Sequence, residues 1–179
     1  MTMTVVAGLP SLRDADTAQA IGRAIRAATA HFGRTRPGFR VVEFSIQATH
    51  LHLIVEAGSG RTLGRGVQGL AARLAKAINR QLGRRGQVFA DRYHARHLES
   101  PRQVRNTLVY VIQNWRHHVV GARGVDDRSS GRWFGGWLDG GPVTAFSSPV
   151  ARARTWLLRV GWRRHGLIGP WEGPADSPP

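Results

Sequence analysis

Thr49-His50-Leu51-His52-Leu53-Ile54-Val55 is the stretch whose reading decides the fold. In an extended chain alternate side chains share a face, so both imidazoles project from one side, roughly 7 Å apart along the strand. Leu51, Leu53 and Val55 take the other side and can be buried. The strand therefore carries two neutral nitrogen donors on one face, a platform for a divalent metal. Working outward, residues 39–56 are apolar-rich but too long for one ordinary strand. Parity argues against a single strand too, because Phe44 and Ile46 would share a face with His50 and His52. A tight connection near Gln47–Thr49 removes that conflict and predicts a hairpin of roughly 39–46 and 50–56.

The flanking chain supplies the remaining elements. Residues 1–7 are β-prone and read as a first strand. From about Asp14 to Phe32, Ala15, Ala18, Ile21, Ile25 and Ala28 recur at helical spacing, and Gly33 with Pro37-Gly38 ends the pattern. A second helix, from about Thr62 to Leu82, places Leu63, Val67, Leu70, Leu74 and Ile78 on one stripe. Tyr93–Leu98 is a candidate fourth strand. Ser100-Pro101-Arg102-Gln103 is a helix start, with Ser100 as N-cap, Pro101 in the first turn and Gln103 closing a capping box. That helix is expected to run to about Val120, with Val104, Leu108, Val111, Trp115 and Val119 on its apolar side. Tyr110 and Asn114, one turn apart, lie off this stripe, away from where core residues belong.

The order β-α-β-β-α-β plus a further helix predicts an α+β fold. It suggests a ferredoxin-like antiparallel sheet with helices on one face, plus a helix carrying Tyr110. Residues 1–121 form the predicted domain and 122–179 a Gly/Trp/Arg-rich C-terminal extension. Within the extension, 126–141 reads as an ordered or partner-ordered loop, 150–165 as a short basic amphipathic helix, and 170–179 as a frayed end.

Composition narrows the chemistry. The 179 residues contain no cysteine, which excludes disulfides, thiol nucleophiles and thiolate metal sites. No apolar stretch approaches a membrane span and no signal peptide is evident, so a cytoplasmic, nucleoid-associated protein is expected. The formal net charge is +15, and of 26 basic residues only Lys76 is a lysine. Arginine is a planar donor suited to phosphate forks and base stacking, and nucleic acid is the expected partner. Arg61, Arg65, Arg73, Lys76, Arg80, Arg84, Arg85 and Arg92 are the candidate phosphate contacts. Trp133, Trp137, Trp156 and Trp162 either stack bases of a single strand or pack the extension onto the domain.

Tyr110 and Asn114 gain meaning beside the histidines. A phenol is a poor nucleophile at neutral pH, but it can attack a phosphodiester whose charge is neutralised by a divalent cation. His50, His52 and the amide oxygen of Asn114 are the N/O ligands available for such an ion. One helical turn would set the nucleophile Tyr110 beside the third ligand.

His50-Leu51-His52 resembles the His-hydrophobic-His signature of HUH endonucleases. Taken with Gly83-Arg84-Arg85-Gly86-Gln87-Val88-Phe89-Ala90-Asp91-Arg92-Tyr93 and Leu108-Val109-Tyr110-Val111-Ile112-Gln113-Asn114, it looks most like the REP-associated tyrosine transposases. The resemblance spans about residues 1–120. It implies a ferredoxin-like fold, a Mg²⁺ or Mn²⁺ ion on His50 and His52, and Tyr110 as nucleophile. It further implies that Tyr110 cleaves single-stranded DNA beside a REP-like or transposon-end hairpin, leaving a 5′-phosphotyrosine. Asn114 falls where the family places its amide ligand, and Gln113 is an alternative. Two departures are Thr49, where relatives often carry Asn or Asp, and Trp115-Arg116-His117-His118, where many have Asn-Pro-Val. An alternative reading is a domesticated, non-catalytic nucleic-acid-binding protein of the same fold. Monomer and homodimer both remain open.

Overall fold

A computed structural model describes residues 1–117, 124–140, 144 and 147–173. The fold is α+β. Three antiparallel strands form a sheet in the order β1-β3-β2, where β1 is Thr2–Thr4, β2 is Phe39–Ile46 and β3 is His50–Ala57. The predicted hairpin is present, closed by a hydrogen bond from Gln47 N to His50 O at 2.9 Å. β3 is the central strand, so each of its histidines has a neighbour in β1, with Thr4 opposite His50 and Thr2 opposite His52; Ser45 of β2 also pairs with His52. A bulge between Val41 and Glu43 shifts the β2 register by one residue. This lets Val41 share a face with Phe44 and Ile46, which strict alternation would set on the other side.

One face packs against α1 (Ala15–Thr35) and α2 (Gly60–Gln81). Met3, Phe44, Ile46, Leu51 and Leu53 meet Ile21, Ile25, Leu70, Leu74 and Ile78 in a single buried cluster. The parity argument thus holds: Phe44 and Ile46 are buried opposite the histidine face. Ser59 caps α2 by accepting from Thr62 N at 3.2 Å. α1 passes through Gly33 to Thr35 before Pro37 stops it, three residues beyond the expected end.

The histidine face carries α3 (Pro101–Gln113), whose Val104, Leu108, Val111 and Ile112 pack on Val42 and Ile54. The capping box of Ser100 and Gln103 is formed as predicted. Helices therefore cover both faces, α1 and α2 on one and α3 on the other. The α-helix ends sooner than expected, at Gln113, and tightens into a 3-10 turn over Asn114–His117. The expected continuation through Val119 and Val120, the boundary at Gly121 and residues 174–179 of the Pro-rich end lie outside the described residues.

The candidate fourth strand is not a strand. Residues 88–94 run antiparallel to β1, but β1 is only three residues long, and pairing is limited to bridges at Val5–Phe89 and Thr2–His94. Beyond His94, as far as Leu98, the backbone makes no hydrogen bond to another strand among the described residues. The predicted helix over 150–165 is reduced to one turn, α4 (Trp156–Arg159), and a 3-10 turn at Gly161–His165.

The described C-terminal residues complete the fold. Trp162, Trp137, Phe134 and Ile168 are buried with α3, which favours packing over base stacking for Trp137 and Trp162. Arg13 forks onto buried Asp126 with bonds of 2.9 and 2.8 Å, and Arg105 does the same to Glu172. The open edge of β2 is covered from the same side. Ile46 N donates to Arg128 O, Phe44 N to Ser130 Oγ, and Ala151 N to Val41 O, each at 2.9 Å. These contacts remove the free edge that an antiparallel sheet otherwise exposes. Among the described residues no helix is long and apolar enough to cross a membrane.

Candidate metal and nucleophile site

His50 and His52 stand on one face of β3, as the alternation requires, and their Nε2 atoms are 3.0 Å apart. Their Nδ1 atoms are each held by a threonine: Thr49 Oγ1 lies 3.3 Å from that of His50, and Thr2 Oγ1 lies 3.0 Å from that of His52. This arrangement fixes both rings and turns both Nε2 atoms inward. Two nitrogens about 2.1 Å from a shared ion and roughly 90° apart are separated by about 3 Å, so the pair suits two adjacent ligands of an octahedral cation.

α3 lays Tyr110 across this pair. The rings of His52 and Tyr110 are 5.1 Å apart, edge to face, within one chain. His117, at the end of the 3-10 turn, stands on the other side with its ring 6.4 Å from that of Tyr110. The local sequence explains the placement. Val104, Leu108, Val111 and Ile112 hold α3 against the sheet, so the off-stripe Tyr110 projects toward the histidines at the margin of that interface.

Asn114 departs from expectation in its burial. It is 2 % exposed, although it lies off the apolar stripe of the helix. The C-terminal segment covers this end of α3. Its Oδ1 is buried and makes no hydrogen bond among the described residues. A buried carbonyl oxygen without a donor carries a penalty of about 1–3 kcal/mol unless something else satisfies it. One turn past Tyr110, it is an acceptor of the type a hard divalent cation takes. Gln113 is committed elsewhere: its Nε2 donates to Pro170 O at 2.8 Å. No cluster of three or more His, Cys, Asp or Glu side chains suited to a metal occurs among the described residues. His50 and His52 offer two nitrogens and Asn114 a buried amide oxygen, donor types that a divalent cation takes.

The predicted phosphate contacts are not brought to this site as a group. α2 lies on the opposite face of the sheet, and Arg61, Arg65, Lys76 and Arg80 are exposed there, with Arg85 and Arg92 exposed in the following loop. Arg73 instead donates to Gly69 O and lies over the Phe32 ring, and Arg84 braces its loop through Asn79 and Gln87. His94, Arg96 and His97, not among the predicted contacts, line a cavity shared with His52 and Tyr110. The pairing of His94 with Thr2 of β1, which local sequence does not signal, brings this segment there.

Two carboxylates nearby behave differently. Glu43, on β2, is wholly buried, and burial pushes its pKa up to about 8 although the Ser130 hydroxyl donates to it. Glu56, on β3, is also pushed up by burial. Donors from the Thr155 hydroxyl, the Arg154 and Thr155 backbone and Arg40 outweigh that effect and hold it below the ordinary carboxylate range. No protein-family model, curated protein or solved structure matches the chain.

Proposed function

We propose that this protein is a metal-dependent single-tyrosine DNA strand transferase of the HUH class, with a ferredoxin-like core, acting on hairpin-containing single-stranded DNA. The observation that carries the reading is the meeting of His50, His52 and Tyr110 on one face of the sheet, with a buried, unsatisfied Asn114 amide one turn away. His50, His52 and Asn114 would hold Mg²⁺ or Mn²⁺. When bound, such an ion supplies charge neutralisation at the scissile phosphate. Tyr110 attacks phosphorus through its hydroxyl oxygen, and its phenolic proton passes through solvent to the departing 3′-oxygen. The bond to the 3′-oxygen breaks, leaving a free 3′-hydroxyl and a 5′-phosphotyrosine. Thr2 and Thr49 keep the two imidazoles oriented through the step. The +15 net charge raises the local concentration of the polyanionic strand.

The test uses labelled hairpin-bearing single-stranded DNA from the sequence flanking the gene, with Mg²⁺ or Mn²⁺ against EDTA. Products are separated on a denaturing gel beside Tyr110→Phe. A metal-dependent protein–DNA adduct that disappears in Tyr110→Phe is expected. Binding without an adduct under every condition would replace this reading with a non-catalytic nucleic-acid-binding protein.

A further inference from the structure

Next to the His52–Tyr110 pair is a cavity of about 700 Å³. Its floor is aliphatic, made by Ile54 of β3, Val104 of α3 and Leu158 of α4. Thr107, one turn before Tyr110, lines its wall. The opposite wall is the extended chain Ala95–Leu98. Among the described residues, the backbone groups of Ala95–Leu98 make no hydrogen bond to the protein. They adjoin an apolar chamber with their donors and acceptors left for solvent or a ligand.

Thr2 N and O pair with His94, and among the described residues the backbone past His94 has no such partner. The rim carries one permanent cation. Arg96 is exposed there with His94 and His97, the last standing 3.8 Å from Glu99. Glu56 is the acid on the lining, and it is already bound by Arg40 and by the chain at Arg154 and Thr155. A negatively charged group at the rim therefore meets Arg96, and no unengaged carboxylate opposes it from the lining.

We infer that this cavity takes one unstacked nucleobase of the strand whose phosphodiester lies at Tyr110. The inference rests on the strand-transferase reading and names what the same site recognises beyond the phosphate. A base has two apolar faces and an edge of donors and acceptors, and its sugar carries an anionic phosphate. The aliphatic floor with the flanking His52 and Tyr110 rings matches the faces, the unpaired backbone of Ala95–Leu98 matches the edge, and Arg96 matches the phosphate. A purely apolar ligand would leave the strap's backbone groups without partners. A free anion would gain nothing from the floor.

The experiment uses the full chain and a hairpin oligonucleotide from the gene's flank, carrying 2-aminopurine at each single-stranded position in turn, in EDTA so that no strand is cut. One position is expected to brighten several-fold on binding, and an abasic site there is expected to weaken binding about tenfold or more, in line with a lost stacked base. Leu158→Trp, which fills the floor, and Thr107→Val are both expected to remove the brightening. The DNA series needs no variant, so a misfolded substitution does not decide the outcome. An adduct formed with Mg²⁺ while no position brightens, or while abasic sites are tolerated everywhere, overturns the pocket and keeps the strand-transferase reading. Brightening at one position without any adduct keeps the pocket and overturns catalysis. Absence of all binding overturns both.

Discussion

Glu43→Gln removes a buried acid while keeping its volume and an acceptor for the Ser130 hydroxyl. With its pKa pushed by burial from the ordinary 4.5 up to about 8, Glu43 is neutral in the folded protein over much of the range in which the unfolded chain has lost the proton. The folded state then binds more protons than the unfolded one, so this group makes stability fall as pH rises through that window, with the fall ending above about pH 8. At about 1.4 kcal/mol per pH unit, going from roughly pH 5.5 to pH 8 lowers wild-type stability by about 3 kcal/mol through Glu43 alone. Urea unfolding of both proteins at the two pH values isolates this term, since other titrating groups cancel in the difference. Glu43→Gln is expected to gain about 3 kcal/mol on wild type between the two conditions. A difference that does not change with pH would refute the reasoning and show that Glu43 is ionised in the folded protein. Ser130→Ala, which removes the one bond lowering this pKa, is expected to carry the window to higher pH.

The remaining predictions concern packing, tethering and the metal. Gly66→Ala would set a Cβ 2.2 Å from the buried Phe39 ring and is expected to cost about 1–3 kcal/mol by thermal melting, whereas Gly64→Ala, with no atom within 4 Å, is expected to gain about 0.5–1 kcal/mol from helix propensity. Glu56→Gln is expected to lose about 2–3 kcal/mol near neutral pH, and that loss is expected to shrink as pH falls below 4.5, because a carboxylate held low stabilises only while ionised. A constant loss down to acid would contradict the bonds to Arg154 and Thr155. Asn114→Leu is expected to weaken Mn²⁺ binding about tenfold or more in calorimetric titration, and unchanged affinity would remove Asn114 from the ligand set.

The sequence was legible where its signals were local. The hairpin followed from the parity of Phe44, Ile46, His50 and His52, and the start of α3 from Ser100 and Gln103, because each depends on residues within one turn or one strand. The pairing of Tyr110 with His52 could be guessed but not read, since it depends on how α3 lies across the sheet. The fourth strand failed because strand propensity at Tyr93–Leu98 says nothing about the length of its partner, and β1 has only three residues to offer. The burial of Asn114, placed off the apolar stripe by helix periodicity, was not foreseen because periodicity within α3 says nothing of contacts from elsewhere in the chain. The same long-range contacts, such as Arg13 to Asp126, made the extension look like an appendage when it fills the core around Trp162.

The covered edge of β2 also sets an order of events during synthesis. Residues 39–46 emerge early and can pair with β3 at once, but their other edge is closed only by Arg128, Ser130 and Ala151. At about 5–20 residues per second, the gap is roughly 4–20 s of translation in which one side of the sheet has unpaired N–H and C=O groups. During that interval the nascent chain presents a template for strand addition by its neighbours on the polysome. A chain released before Arg128 would keep that template open, so premature termination there would favour self-association over a smaller working domain.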